Sequence, residues 1–295
     1  MSRAEPFDEI RYTTRDGLSL YARIYPAAPG SFRLRPVVCL PGLTRNSRDF
    51  HVLALALSAP GEDSRTVYSL DYRGRGRSDF DSDWRNYAVP IEMQDVLDFL
   101  ISAELLGAGF VGTSRGGLIA MIMCAAMPAA AGPIVLNDIG PVIERAGLAR
   151  ISAYAGRMPL PGSWAEATKL VRDMNVRAFP AIPEDSWETV ARQWFNEYKG
   201  RPAPGYDNKL ANAMSVLDGP APALWPQFEA MRRVPLMVLR GEHSDILSAQ
   251  TVEEMRHRHP ALKAVTVKGQ GHAPLLMDKL TIDAIRGFFA QTDPQ

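Results

Sequence analysis

Six short apolar runs, each closing on a glycine-containing turn, constrain this chain more than any other feature. They are "RPVVCLPG", "RTVYSLDYRGRG", "GAGFVGTS", "GPIVLNDIG", "PLMVLRGEH" and "ALKAVTVKGQG". A run that is apolar throughout, rather than at alternate positions, must be buried on both faces. Strands of that kind belong to a parallel sheet sandwiched between helices. Apolar residues at helical spacing fall where that arrangement needs them: Asn46 to Ser58, Ile91 to Leu106, Gly116 to Met127, Ala249 to His257 and Leu280 to Phe289. Ahead of them, "EIRYTTRDGLSLYARIYP" alternates polar and apolar residues around "RDG" and predicts an antiparallel hairpin.

One interval breaks the rhythm. From about Pro141 to Arg233 no strand is predicted, and helical pieces such as "IERAGLARISAYAG" and "EDSWETVARQWFNEY" are separated by proline and glycine. A helical insertion between two core strands makes a lid. The expected organisation is a core of residues 1–140 and 234–295, interrupted by a cap of 141–233. Trp164, Trp187, Trp194, Phe195 and Trp225 are expected to form the cap's own core rather than to touch substrate.

Composition removes several function classes. Lys plus Arg equals Asp plus Glu at 33 each, so no global field draws nucleic acid or an anionic membrane. The start, "MSRAEPFDEI", lacks a signal peptide's apolar core, and no apolar run can span a bilayer, so a cytoplasmic location is expected. Cys39 and Cys124 sit in apolar sequence as buried free thiols, without the paired spacing of a metal site. "GRGRSD" lacks the helix-opening Gly-Lys-Ser/Thr of a phosphate loop. No metal, nucleotide or flavin is expected, and no cofactor is needed. For assembly, a homodimer is the state considered.

"FVGTSRGG" carries the chemistry. A strand runs at once into a sharp turn and a helix, which forces Ser114 to positive φ and lifts its hydroxyl to the top of the sheet. Gly112 and Gly116 are required because a Cβ at either would strike the strand or helix pressed against the turn. The opening helix supplies a positive dipole end and free N–H groups. A serine hydroxyl needs a base to take its proton, and His272 in "KGQGHAPLL" follows the last apolar strand. Of the other four histidines, His257 and His259 are expected to be solvated, His51 to lie in a helix, and His243 to pack locally.

"GTSRGG", "LPGLTRNSRDF", "DYRGRGRSD", "GEHSDIL" and "GQGHAPLL" resemble the α/β-hydrolase superfamily, in the superfamily's order and over essentially the whole chain. The resemblance implies an α/β-hydrolase fold, with the helical insertion as its variable cap. It is specific for fold and chemistry, not for substrate. It places the acid at Asp245 in "VLRGEHSDIL", with Asp138 in "VLNDIGP" as the alternative position used by some relatives. In that reading Asp138 anchors the cap hinge. The oxyanion donors are expected to be the main-chain N–H groups of Arg115 and Leu43, although Leu40 stands where many relatives have histidine.

Arg45 and Arg48 are candidate substrate-binding residues, since a carboxylate substrate would suit arginines at the mouth. The Arg115 side chain is expected to pair with cap or loop, and Arg73 and Arg75 with acids such as Asp71 and Asp79. The function expected is a serine hydrolase acting on a small-molecule ester or lactone. Carbon–carbon hydrolases of aromatic catabolism, weakened by Ala273 where they carry an aromatic residue, are a runner-up, as are enol-lactonases, which would accept a carboxylate near the arginines. A ligand-sensing protein on the same scaffold is the reading from another class.

Overall fold

The computed structural model describes residues 5–29, 34–215 and 222–293. The chain opens with β1 (Asp8–Thr13) and β2 (Ser19–Tyr25), then β3 (Val37–Leu40), α1 (His51–Ser58), β4 (Val67–Leu70) and α2 (Val89–Ser102). It continues through β5 (Ala108–Thr113), α3 (Arg115–Ala126) and β6 (Ala131–Asn137). A mostly helical stretch follows: α4 (Arg145–Tyr154), α5 (Trp164–Asn175), α6 (Trp187–Trp194), β7 (Asn196–Tyr198), β8 (Arg201–Ala203), α7 (Leu210–Ser215) and α8 (Trp225–Ala230). The chain then returns as β9 (Leu236–Gly241), α9 (Ala249–Arg258), β10 (Lys263–Val267) and α10 (Lys279–Thr292).

Eight strands form one sheet in the order β1-β2-β4-β3-β5-β6-β9-β10. β1 pairs antiparallel with β2, and β2 with β4, as the alternating N-terminal segment predicts. Every other pairing is parallel. The reason that the central runs are apolar throughout is visible residue by residue. Val38, Leu40, Phe110, Ile134, Leu136 and Val238 pack on one face, whereas Val37, Cys39, Val111, Val135, Met237 and Leu239 pack on the other. Period-two alternation thus serves two cores at once. Both cysteines are free and buried.

The stretch between β6 and β9 differs from expectation in one respect: it contains a two-stranded antiparallel sheet, Asn196 to Tyr198 against Arg201 to Ala203. Pro202 sits in this hairpin where a central strand would not tolerate it. Trp187, Val190, Ala191 and Phe195 of α6 and its end pack with Ala167 and Val171 of α5 as a separate apolar cluster. His259 also departs from its expected solvated state. It is buried against Phe228, with Nε2 3.4 Å from the Val234 carbonyl. Among the described residues no helix is long and apolar enough to cross a membrane.

Candidate active site

β5 ends at Thr113 and α3 begins at Arg115, so Ser114 alone makes the corner, at φ 50° and ψ −111°. That backbone conformation is costly for any residue with a Cβ, by roughly 1–3 kcal/mol. Its surroundings leave no alternative path. A Cβ on Gly116 would stand 2.1 Å from the Leu40 carbonyl oxygen, and one on Gly112 would stand 2.7 Å from the Gly116 carbonyl carbon. Helix α3 therefore presses directly onto β3 and β5, and the serine is extruded above the sheet. The Ser114 N–H donates to the Asn137 carbonyl at 3.0 Å, which ties the corner to β6.

The Ser114 hydroxyl lies 2.9 Å from His272 Nε2, and His272 Nδ1 lies 2.8 Å from Asp138 Oδ2. The acid expected at Asp245 is therefore not the one that meets the histidine. Asp138 follows β6 directly, at φ 56°, and its side chain is fully buried. Its Oδ1 accepts from the Gly241 N–H at 2.8 Å, and its Oδ2 also accepts from the Ser244 hydroxyl at 2.6 Å. Three donors, including the imidazole, converge on one carboxylate, which holds the ring with Nε2 toward the serine. Asp138, the alternative position for the acid, meets the imidazole while its other oxygen holds the Gly241 backbone.

Asp245 is held elsewhere for a local reason. Helix α4 packs tightly on its loop: the Glu144 N–H donates to the Ile246 carbonyl at 3.0 Å and the Gly147 N–H to the Asp245 carbonyl at 3.1 Å. One turn on, Arg150 reaches the Asp245 carboxylate with Nε at 2.6 Å and Nη2 at 2.8 Å. The guanidinium holds the Asp245 carboxyl below its ordinary range, partly opposed by burial.

A cavity of about 200 Å³ opens over this relay, lined among others by Leu43, Arg45, Arg150, Tyr154, Trp187 and Trp194. Trp187 and Trp194, two of the aromatics expected to be purely internal to the helical stretch, thus also form its wall. Leu43 stands at the turn after β3, and Arg115 opens α3, where the first N–H groups have no intrahelical acceptor. Leu43 lines the cavity with Ser114, and Arg115 follows Ser114 directly in the chain.

The arginines sort differently from expectation. Arg48 does not enter the cavity wall. Its Nε and Nη2 donate to the Arg192, Gln193 and Phe195 carbonyls at 3.1, 3.3 and 3.2 Å, and burial pulls its pKa down to about 10. It caps the end of α6, alongside Asn46, whose amide donates to the Gln193 carbonyl at 2.9 Å. Arg115 is not in the cavity wall: it pairs with Glu92 on α2 and, as expected of a loop contact, donates to the Tyr87 carbonyl at 2.9 Å. Arg75 pairs with the same Glu92 at 2.7 Å, and Arg73 bridges Asp16, Asp81 and Asp95. Asp71, expected as an arginine partner, instead accepts from the Ser47 and Arg77 N–H groups. Arg45 remains in the wall.

Several residues at the site went unnoticed in the sequence: Asn137, Ser244, Arg150 and Tyr154. Asn137 bridges Thr113 Oγ1 at 3.0 Å and the Pro274 carbonyl at 2.9 Å, which fixes the loop after His272 to the end of β5. Its position beside Asp138 at a strand end was the only available signal. Among the described residues no cluster of three or more His, Cys, Asp or Glu could hold a metal ion.

Comparison with known proteins agrees with this architecture. The family model described as "Alpha/beta hydrolase family" matches residues 37–284. A 3-hydroxybutyrate-oligomer hydrolase of Cupriavidus necator is 32% identical over 86% of this chain and 88% of its own length. A 2-(acetamidomethylene)succinate hydrolase of Mesorhizobium japonicum is 26% identical over 84% of this chain and 85% of its own. A crystal structure of an alpha/beta hydrolase from Novosphingobium aromaticivorans is 36% identical, with a TM-score of 0.89, 98% of this chain and 100% of that one being covered. With the family model spanning most of its length, this chain belongs to the alpha/beta hydrolase family and is an enzyme with hydrolase activity.

Proposed function

We propose that this hydrolase cleaves a short carboxylic ester through an acyl-enzyme on Ser114. The observation that carries the reading is the relay Ser114–His272–Asp138, with both hydrogen bonds below 3 Å and in the order that activates a serine. Nε2 of His272 takes the Ser114 proton as Oγ adds to the ester carbonyl. The oxyanion that forms is held by the main-chain N–H groups of Leu43 and Arg115. Collapse of this intermediate breaks the C–O bond, and the imidazolium returns its proton to the departing alcohol. Water, deprotonated by the same imidazole, then attacks the acyl carbonyl, and Ser114 leaves with the proton. Asp138 supports the charged imidazole in both halves.

The similarity to a 3-hydroxybutyrate-oligomer hydrolase supports esters of short hydroxy acids as the substrate class. A lactone would follow the same path, with the alcohol remaining tethered to the acyl group.

The test is steady-state and rapid-mixing kinetics on 4-nitrophenyl butyrate, followed by mass spectrometry of the quenched enzyme. Repeated turnover is expected, with a mass increase of one butyryl group on the peptide containing Ser114, and loss of both in Ser114→Ala. Release of a single equivalent without turnover would instead make the chain a ligand sensor. Undiminished turnover by Ser114→Ala would rule out the covalent route.

A further inference from the structure

The wall of the cavity that holds the relay also carries two arginines that are built in the same way. Asp49 takes the Nε and Nη2 edge of Arg45 at 2.8 and 2.6 Å, and Asp245 takes the same edge of Arg150 at 2.6 and 2.8 Å. Each guanidinium is thereby fixed, and Arg150 also interacts with the Tyr154 side chain. Nη1 of Arg45 is buried and has no hydrogen-bond partner among the described residues. The Arg45 guanidinium lies 4.5 Å from the Trp194 ring centre, which fixes its plane. Both arginines line the cavity that holds Ser114 and His272.

Tyr154, one turn beyond Arg150 on α4, joins them. Its phenol is raised by burial, and Arg150 and Arg45 both oppose that rise. All three side chains line the same cavity. Of the pair, Arg150 is the accessible member, at 44% side-chain exposure against 14% for Arg45.

We propose that Arg150, oriented by Asp245 and backed by Arg45 and Tyr154, binds a free carboxylate on the substrate. The proposal rests on the ester-hydrolase reading and narrows it to hydroxy-acid esters that carry an ionised carboxyl group beside the scissile bond. An ion pair that spends one edge of arginine on an internal aspartate still leaves donors for another acid. Arg73 in this same protein serves Asp16, Asp81 and Asp95 together. A second carboxylate on a pre-oriented guanidinium gains charge-assisted hydrogen bonds without the entropy of ordering the side chain. Asp245, at a strand end beside the catalytic loop, thus acts as a positioning residue for substrate recognition instead of for the imidazole.

The experiment reads binding rather than turnover. In Ser114→Ala, calorimetry compares the linear dimer of 3-hydroxybutyrate as its free acid with the methyl ester of the same dimer. The free acid is expected to bind about tenfold tighter or better. Adding Arg150→Gln should reduce that preference to less than about threefold, while Arg150→Lys, which keeps a cation beside Asp245, should retain part of it. Equal binding of acid and methyl ester by the parent, equal weakening of both by Arg150→Gln, or binding of neither would overturn the proposal. Because Ser114→Ala turns nothing over, such a failure leaves the acyl-enzyme reading standing. Loss of that reading in the kinetic test would likewise leave this binding result intact.

Discussion

Asp138 Oδ2 accepts from His272 Nδ1 at 2.8 Å while its other oxygen is held by the Gly241 N–H at 2.8 Å. The imidazole is therefore oriented from the end of β6, one strand nearer Ser114 than the position of Asp245. This makes the two aspartates separable by mutation. Asp138→Asn keeps the shape but offers the ring a donor where it needs an acceptor, favouring the wrong tautomer. A fall in kcat of roughly 10³–10⁴ on 4-nitrophenyl butyrate is expected. Asp245→Asn leaves the relay intact and should change kcat on this neutral ester by less than about tenfold. The reverse ranking would return the catalytic role to Asp245.

The corner at Ser114 stores strain that a stability measurement can read. At φ 50° and ψ −111°, glycine is at ease and any Cβ is not. Ser114→Ala retains the Cβ, whereas Ser114→Gly removes it. After subtracting the extra unfolded-state freedom of glycine, Ser114→Gly should be the more stable of the two by about 1 kcal/mol. Urea unfolding of both inactive variants decides it. If alanine were equally stable or better, the corner would not be strained.

The buried acid Asp95 gives a pH dependence with a definite sign. Burial, only partly offset by Arg73, raises its pKa from 3.8 to about 6. The folded state then holds this proton more tightly than the unfolded chain does. The stability tied to that proton is complete below about pH 4, declines as pH rises toward 6, and is flat above it. The full excursion is about 3 kcal/mol for a shift of about two units. Urea unfolding of wild type and Asp95→Asn at pH 4.5 and 7.5 isolates the group, because other carboxylates cancel in the difference. Wild type should lose stability relative to Asp95→Asn on going to the higher pH. A difference independent of pH would show that Arg73 fully offsets burial, and one of opposite sign that it outweighs burial.

What the sequence revealed and what it withheld follow from how local each determinant is. The Ser114 corner is legible because Gly112 and Gly116 lie within two residues of it, and their close contacts are dictated by the turn itself. His272 is legible because a strand end and a glycine pair precede it. The choice between Asp138 and Asp245 is not local. Both follow neighbouring parallel strands, β6 and β9, and both point to the same edge of the sheet. Arg150 decides between them, and it lies 95 residues from Asp245 in the chain. Arg48 misled for the same reason: its partners are carbonyls of residues 192, 193 and 195, which no spacing rule connects to it. Trp187 and Trp194 show a third case, in which one ring serves both the core of the helical stretch and the cavity wall.

Trp194 also predicts how substrate length is limited. A second cavity, of about 50 Å³, lies beside the first and is lined by Met158, Leu160, Phe195, Pro204 and Tyr206. The two cavities share only Thr44 and Trp194 among their lining residues, so the indole is the larger part of the partition. Its position is set by the Arg45 guanidinium stacked 4.5 Å from the ring centre and by the end of α6, which Arg48 and Asn46 hold. Trp194→Ala should join the cavities and admit longer acyl chains along a mostly apolar path. On a series of 4-nitrophenyl esters from acetyl to decanoyl, the ratio of kcat/KM for octanoyl over butyryl should rise by about tenfold or more. Each additional buried methylene contributes about 0.8 kcal/mol, so two or three newly accommodated carbons suffice. Trp194→Phe, which keeps a ring in place, should leave the ratio within about threefold of wild type. An unchanged ratio in Trp194→Ala would show that another residue closes the passage. A uniform loss across all chain lengths would instead assign Trp194 to supporting Arg45.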